Sequence, residues 1–230
     1  MLSKQDPARF LAKATRCVFW ACTRITYSGA KRRTLLENPL APEIRAQLYA
    51  DRKSFTRDQE EAVLKAAQSF PDDIRLLCEL LYVTGCRLSE ALELRRDHLD
   101  TDGALVVFRT LKQRNKEVLR AVPVPALFIQ RLAALDPSSS GRLWAFSRWT
   151  GRRRIKEIME AAEVPAHLAN TKTFRHSYND RGKLHGTPDY VRRALLGHRT
   201  QKANDHYGLL IGAELRDHAQ GAWGVMGNSG

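Results

Sequence analysis

The sequence predicts a mainly α-helical protein with a small β-hairpin or sheet, an α+β fold in which helices dominate. Apolar residues recur at helical spacing through most of the 230 residues. Between Gly103 and Val124 the pattern changes to two valine-rich runs that flank a polar segment, which is typical of paired strands. The sequence contains no internal repeat.

The chain is strongly basic, with a net charge of +13 and an isoelectric point near 10.0. Neutralising phosphates releases condensed counterions, so nucleic acid is the simplest partner for such a protein. A basic surface without a partner is the alternative. The sequence has neither the roughly 18 apolar residues of a membrane span nor a signal peptide, so we expect a cytoplasmic, nucleoid-associated protein.

A short basic helical region, residues 1–54, is predicted to precede the main domain, residues 55–230. It holds 11 Lys or Arg against 4 Asp or Glu. Apolar residues from Phe10 to Ile25 recur at helical spacing, which predicts an amphipathic helix with a basic face. A solvated face fits this pattern as well as a DNA clamp does. The loop that follows carries three candidate phosphate contacts, Lys31, Arg32 and Arg33.

Two helices are predicted at the start of the main domain. Thr56 followed by Gln59 is the signature of a capping box, which opens the first helix. Asp72 begins the second helix, whose nearly continuous apolar face must be buried. Gly85 ends it, because glycine readily adopts the positive φ found at helix C-termini.

Arg87 follows that turn and precedes a short helix whose apolar residues face inward. Packing on both sides is therefore expected to fix its position. Glu90 lies one helical turn later and can orient the guanidinium. An Arg and Glu pair that only caps the helix is the alternative.

The runs ALVVFRT and VLRAVPV predict the two strands of the hairpin. Between them, LKQRNKE is interpreted as the hairpin tip, and it carries three cations. Lys112 on this tip can reach into a groove. A tip that is cationic only for solubility is the alternative.

A helix over Pro125–Leu135, a loop over Asp136–Gly141 and a further helix within Trp144–Ala162 are predicted next. The last helix is expected to open at Gly151. Positive charge opposes the dipole at a helix start unless an anion is bound, so a phosphate is expected beside the three arginines there. A screened surface cluster is the alternative. These arginines are Arg152, Arg153 and Arg154.

The segment from Lys172 onwards places three reactive residue types at spacings that one reaction would use. Arg175 opens a helical pattern, His198 follows a Leu-Leu-Gly turn, and Tyr207 lies nine residues further on. A tyrosine near cations that hold a phosphate suggests attack on a nucleic-acid backbone. A core tyrosine and a buried histidine are the structural alternatives. His176 is interpreted as structural.

No metal, cofactor or disulfide is predicted. The four cysteines lack C-x-x-C spacing and paired histidines, so they are interpreted as reduced core or interface residues. The sequence also lacks a carboxylate cluster that would match the cations, so the cations are expected to replace a metal. The cysteines are Cys17, Cys22, Cys78 and Cys86.

Four separated pieces of the chain resemble the catalytic domain of the tyrosine recombinases, also called phage integrases. The resemblance covers about residues 55–210. It implies a tyrosine-recombinase-like catalytic domain over residues 55–230 with a C-terminal tail, and a reduced core-binding domain over residues 1–54. The pieces are TGCRLSEAL, LKQRNKE, the KTFRHSY to LLGH segment, and Tyr207.

Position by position, the resemblance implies a catalytic set of Arg87, Lys112, Lys172, Arg175, His198 and Tyr207, with Glu90 in an orienting role. Lys116 is a rival for the hairpin lysine. Family members usually carry histidine where Lys172 stands. At pH 7 an ammonium donates hydrogen bonds and accepts a proton only if its pKa is depressed, so Lys172 is assigned to phosphate contact. The base for Tyr207 stays unassigned.

The resemblance implies a site-specific recombinase that acts on double-stranded DNA through a 3′-phosphotyrosine intermediate, without metal or ATP. It also implies a tail that docks on a neighbouring subunit of a tetramer, whereas the sequence alone equally permits a tail folded on its own core. A type IB topoisomerase, which has lysine before the corresponding arginine, is the first alternative. A DNA-binding protein without catalysis is the second.

Overall fold

The computed structural model describes residue 44 and residues 51–112, 116–197 and 213–228. The chain divides into two units, Met1–Leu48 and Tyr49–Gly230, and nearly all described residues belong to the second. The predicted basic helix and the cations Lys31, Arg32 and Arg33 lie outside the described residues. The domain boundary after residue 54 stays a prediction.

Eight α-helices and a three-stranded antiparallel sheet are present among the described residues, which confirms the predicted fold class. None of these helices is long and apolar enough to cross a membrane. The strands are β1 (Leu99–Asp100), β2 (Leu105–Lys112) and β3 (Lys116–Pro123), and 3₁₀ turns cover Arg96–His98 and Gly221–Asn228. The helices are α1 (Arg57–Ala67), α2 (Asp72–Thr84), α3 (Leu88–Leu92), α4 (Ala126–Ala133), α5 (Arg148–Ala161), α6 (Thr171–Leu184), α7 (Asp189–Leu196) and α8 (Ala213–Gln220).

Helix α2 lies at the centre of the core and packs against α1, α5 and α6. The capping box at the start of α1 is confirmed: the Gln59 backbone N–H donates to Thr56 Oγ1 over 3.2 Å, and the Thr56 N–H donates to Gln59 Oε1 over 2.9 Å. Gly85 ends α2 at a φ of +58°, as predicted. The buried face of α2 thus fixes where the chain turns towards Arg87.

Strands β2 and β3 pair over their full length, with Leu105 opposite Pro123 and Lys112 opposite Lys116. The predicted tip of seven residues was too long, because strand pairing continues to these two lysines. Only residues 113–115 remain between the strands, and they lie outside the described residues. Strand β1 was not predicted, since two residues are too few to show an alternating pattern. Leu99 of β1 pairs with Val106 of β2.

Helix α5 begins at Arg148, so the predicted start at Gly151 is wrong. Ser147 caps the helix, and its hydroxyl accepts a hydrogen bond from the Thr150 backbone N–H over 3.0 Å. Gly151 instead faces α3, where an added Cβ would lie 3.3 Å from a methyl group of Leu92. The missing side chain lets the two helices approach each other.

The described part of the C-terminal tail folds on its own unit. Leu215, Ala219, Ala222 and Trp223 are buried. The indole N–H of Trp223 donates to the Pro123 carbonyl over 3.2 Å. The described tail residues therefore adopt the second of the two arrangements that the sequence left open.

Candidate active site

A cleft of about 730 Å³ is lined by residues from α3, α5 and α6 and from the turn that follows α2. None of the described residues that line it is an aspartate or a glutamate. Positive charge without a lining carboxylate makes the electrostatic potential of the cleft favourable to an anion. The cationic and imidazole side chains along it are Arg87, Arg148, Arg152, Lys172, Arg175 and His176.

Arg87 reaches this cleft from the N-cap position of α3. Its backbone N–H donates to Glu90 Oε2 over 2.9 Å, and its Nη1 donates to Glu90 Oε1 over 2.8 Å. Leu88 and Ala91 anchor the short helix in the core, while 44% of the Arg87 side chain remains exposed. The guanidinium is thus held at its base and presented at the cleft.

Glu90 lies behind Arg87 and is shared with a second arginine. Arg120 on β3 is buried, and its Nη2 lies 2.9 Å from Glu90 Oε2. Burial alone would raise the pKa of the Glu90 carboxyl, but the charge of Arg120 and the interactions with Arg87 outweigh it and lower the pKa. The carboxylate is therefore ionised and can orient both guanidinium groups, as predicted for Arg87.

Arg175 lies in the second turn of α6 and faces the turns that end α2 and α7. Its Nη1 donates to the Gly85 carbonyl over 3.0 Å, and its Nη2 donates to the Leu196 carbonyl. Burial, followed by the charges of Arg87 and Arg120, lowers the pKa of Arg175 to about 10. The group remains a cation at neutral pH, and an anion beside it would offset the cost of burying that charge.

Lys172 and His176 line the same cleft and lie four residues apart on α6. Asn170 caps this helix by accepting a hydrogen bond from the Lys172 backbone N–H over 3.0 Å. Lys172 is exposed at the helix start. Burial lowers the pKa of His176, and although Asp180 opposes the shift, Lys53 and Arg175 add to it. The structural interpretation of His176 is therefore incomplete, because its imidazole lines the cleft.

The run Arg152–Arg154 lies in the second turn of α5, so its expected position at a helix start is wrong. Arg153 and Arg154 both pair with Glu157, at 3.5 Å and 3.0 Å. The Arg153 guanidinium also lies over the Trp149 ring. Arg152 alone of the three lines the cleft, and the phosphate contact expected for the run stays a prediction.

Three members of the predicted catalytic set have no described side chain. His198 and Tyr207 lie outside the described residues. For Lys112 and Lys116 the structure describes only the backbone, which places both at the end of the hairpin that residues 113–115 connect. Their roles stay predictions.

Cys78 and Cys86 are buried free thiols, as predicted. Cys17 and Cys22 lie outside the described residues. In the part of the chain that the structure describes, no group of three or more His, Cys, Asp or Glu side chains is arranged to hold a metal ion.

Sequence reasoning missed two arginines near the cleft. Arg148 lines it because α5 starts there, and Ser147 before an exposed helical turn was the available signal. Arg120 shares a strand face with Val122, and both are buried. A charged residue at an apolar position of a strand was the signal that it has a buried partner.

A family model described as the phage integrase family matches residues 53–208 of the chain. A protein of Escherichia coli named a probable site-specific recombinase in the afa region is 28% identical over 185 residues. The match covers 73% of this chain and 68% of that protein. Tyrosine recombinase XerD of Caulobacter vibrioides is 29% identical over 181 residues, which cover 71% of this chain and 59% of XerD. Several other curated relatives are matched over only about half of their length.

Two solved recombinases share the fold. The structure of XerA recombinase aligns with a TM-score of 0.55 and 19% identity, over 71% of this chain and 62% of XerA. The site-specific recombinase XerH, solved with its difH substrate in a pre-cleavage complex, aligns with a TM-score of 0.53 and 18% identity. That alignment covers 73% of this chain and 53% of XerH.

Proposed function

The chain belongs to the phage integrase family, and from that premise we propose that it is a site-specific recombinase of double-stranded DNA. In this proposal it cleaves and rejoins the DNA backbone through a covalent 3′-phosphotyrosine at Tyr207. The names of its relatives, which are site-specific and tyrosine recombinases, and the difH substrate of XerH support this proposed activity.

The observation that carries the proposal is that Arg87 and Arg175, far apart in the sequence, line one cleft without a lining carboxylate among the described residues. During attack on a phosphodiester, negative charge gathers on the nonbridging oxygens. Two forked guanidinium groups can hold these oxygens by paired hydrogen bonds. Lys172 lines the same cleft, which supports its proposed contact to the same phosphate.

In the proposed cleavage step, Tyr207 Oη attacks phosphorus, a tyrosine O–P bond forms, and the bond from phosphorus to the 5′ oxygen breaks. The leaving oxygen takes a proton, for which Lys112 is the proposed donor. The tyrosine also loses a proton, and its acceptor is unassigned. Because the bond energy stays in the phosphotyrosine, attack by a 5′ hydroxyl reverses the step and rejoins the strand without ATP.

We propose that the reaction needs no divalent metal. The cations that line the cleft supply the charge that a metal would place beside the phosphate. Addition of EDTA should therefore leave the rate of adduct formation unchanged.

The working unit that the family resemblance implies is a tetramer on two duplexes. The described tail residues pack on their own unit. Exchange of the tail between subunits would require these contacts to open first. Ultracentrifugation with and without a bound duplex tests whether the tetramer depends on DNA.

Suicide duplexes test the function directly. They carry a nick close to each candidate cleavage site, are tiled from the DNA that flanks the coding gene, and are incubated with the full chain. A denaturation-resistant adduct that Tyr207→Phe abolishes is the expected result. Adducts that still form with Tyr207→Phe would show that Tyr207 is not the nucleophile. Duplexes that the protein binds in a gel-shift assay without forming any adduct would favour a DNA-binding protein without catalysis.

A topoisomerase is the second candidate, because Lys172 stands where family members usually carry histidine. Relaxation of supercoiled plasmid lacking any tiled sequence would favour that candidate. Strand exchange between two labelled copies of one tiled sequence favours the recombinase.

A further inference from the structure

Arg120 lies behind the cleft and contacts three segments of the proposed site. It is 3% exposed and does not line the cleft. Its Nη2 lies 2.9 Å from Glu90 Oε2, and its Nη1 donates to the Leu195 carbonyl over 2.8 Å. Its guanidinium also lies 4.9 Å from the centre of the Phe108 ring.

Each of these contacts leads to a different part of the site. Glu90 holds both the backbone and the side chain of Arg87. Leu195 precedes Leu196, whose carbonyl accepts a hydrogen bond from Arg175. Phe108 lies on β2, the strand that ends at Lys112. One buried guanidinium therefore joins the carboxylate that holds Arg87, the turn that Arg175 contacts, and the strand that ends at Lys112.

The turn after α7 is shaped around Arg120. Gly197 adopts a φ of +65°, and an added Cβ there would lie 3.0 Å from Arg120 Nη1. A larger residue would press on the guanidinium as well as strain the backbone. The glycine thus allows close approach between Arg120 and the turn that leads into His198.

Arg120 also decides how Glu90 shares its charge. Glu90 Oε2 accepts from Arg120 and from the Arg87 backbone, so Oε1 is the oxygen that meets the Arg87 side chain. Without Arg120, Glu90 Oε2 would lose its guanidinium partner, and the forked guanidinium of Arg87 could then pair with both carboxylate oxygens. A two-point pair with Glu90 would draw Arg87 away from an anion in the cleft.

Stability alone explains this buried pair poorly. Apolar residues can often replace a buried ion pair at little or no cost in stability. In addition, Arg120 Nε is buried without a hydrogen-bond partner among the described residues, which is a cost to folding. Glu60 and Arg181 form a comparable buried pair whose described contacts lie in the core and the tail.

We propose that Arg120 is a positioning residue for the anion-binding cleft: by dividing Glu90 between two arginines and holding the turn after α7, it keeps Arg87 and Arg175 set for one phosphate. The proposal rests on the proposed function and assigns a residue outside the catalytic set. Arg120 acts through Glu90 and the Leu195 carbonyl and does not contact the substrate.

Binding of inorganic phosphate, measured by calorimetry at low ionic strength, tests the proposal without knowledge of the DNA target. Arg120→Met is expected to weaken phosphate affinity by about tenfold, the effect of losing one charged hydrogen bond. Arg120→Lys keeps the positive charge, but its ammonium cannot contact Glu90 and the Leu195 carbonyl with separate nitrogens. The phosphate affinity of Arg120→Lys should therefore lie between those of the wild type and Arg120→Met. Arg181→Met is the matched control, and it should lower the melting temperature without changing phosphate affinity.

A double-mutant cycle with Glu90→Gln separates positioning from a general loss of structure. If Arg120 acts through Glu90, Arg120→Met should have a much smaller effect in the Glu90→Gln background than in the wild type. If Arg120→Met does not fold, the same cycle can be made with Arg120→Lys, whose effect on phosphate affinity is compared in the wild-type and Glu90→Gln backgrounds.

The outcomes distinguish this proposal from the proposed function. Wild-type affinity retained in folded Arg120→Met, or equal losses in Arg120→Met and Arg181→Met, would overturn the positioning role alone. A wild-type protein that binds no phosphate would count against the anion cleft itself, and both proposals would then fail.

Discussion

Arg175 donates a hydrogen bond from Nη1 to the carbonyl oxygen of Gly85, 3.0 Å away, and so joins two segments that lie 90 residues apart in the chain. Its other terminal nitrogen contacts the Leu196 carbonyl, at the end of α7. The side chain that lines the cleft therefore also fixes the turns that precede Arg87 and His198. Loss of the Arg175 guanidinium should therefore alter the geometry of the site, even where the positive charge is kept.

Arg175→Lys should slow cleavage by about 10²-fold or more, the usual effect of removing a donor to a developing oxyanion. A lysine keeps the positive charge, but its compact ammonium cannot span two carbonyls and a phosphate as a guanidinium does. The measurement is the rate of covalent adduct formation on a suicide duplex that the wild-type protein cleaves. Equilibrium binding of the same duplex is the control and should change little. A rate equal to that of the wild type would remove Arg175 from the catalytic set.

Gly85→Ala should destabilise the fold more than Gly186→Ala, although both glycines have a positive φ. At Gly85 an added Cβ would lie 2.8 Å from the Tyr178 Cβ, whereas at Gly186 no atom lies within 4 Å. Backbone strain alone predicts about 1–2 kcal/mol for Gly186→Ala. Overpacking adds to the strain at Gly85, for a total of about 2–5 kcal/mol. Urea unfolding of both variants gives the comparison, and equal losses would contradict the close approach of α6.

Arg181→Met should cost about 3–5 kcal/mol, because it leaves the buried Glu60 carboxylate without its partner. Arg181 also donates to the carbonyls of Tyr82 and Ala222, so the tail should loosen. Hydrogen exchange at residues 221–226 measures that loosening. The double variant Arg181→Met/Glu60→Leu should recover most of the stability, since it leaves no unpaired charge. No recovery would indicate that the hydrogen bonds to the tail matter more than the ion pair.

Glu90 and Glu60 should affect stability with opposite dependence on pH. The folded pKa of Glu90 lies below its usual 4.5, since Arg120 and Arg87 outweigh burial. The unfolded state then binds more protons below pH 4.5, so the stability that Glu90 contributes is present above that pH and is lost on acidification. For Glu60, burial outweighs Arg181 and raises the pKa. Its contribution is therefore largest at or below pH 4.5 and falls as the pH rises through the folded value.

Unfolding midpoints of the wild type, Glu90→Gln and Glu60→Gln between pH 3.5 and pH 8 measure these contributions. The advantage of the wild type over Glu90→Gln should shrink as the pH falls. Its advantage over Glu60→Gln should shrink as the pH rises. The same trend in both variants would show that one of the two directions is wrong.

Lys112→Ala should slow cleavage of ordinary DNA and should be rescued by a substrate with sulfur at the 5′ leaving position. A thiolate leaves without a proton because its pKa is about 8.5, so it does not need the proposed acid. Arg87→Ala is the control that sulfur should not rescue, since its proposed role concerns the nonbridging oxygens. The same pair of substrates with Lys116→Ala decides between the two lysines, which face each other across the hairpin. Rescue of Lys116→Ala alone would transfer the role to Lys116.

The order of α1 to α6, the hairpin and the turn at Gly85 could be predicted from the sequence, whereas α7 was not predicted. Each depends on local signals: apolar spacing, a capping box at Thr56 and Gln59, and a glycine that ends a helix. The position of Arg87 and its link to Glu90 followed as well, because residues three apart on a helix are neighbours. The start of α5 was missed, since Ser147 was not identified as its cap.

The tertiary structure alone decided which distant side chains meet. Arg120 reaches Glu90 across 30 residues and Leu195 across 75, and Arg181 reaches Glu60 across 121. No regular spacing in the sequence indicates such pairs, because the packing of whole helices and strands decides which residues meet. The sequence determined which groups could hold an anion, and the packing of α3, α5 and α6 determined that Arg87, Lys172 and Arg175 line one cleft.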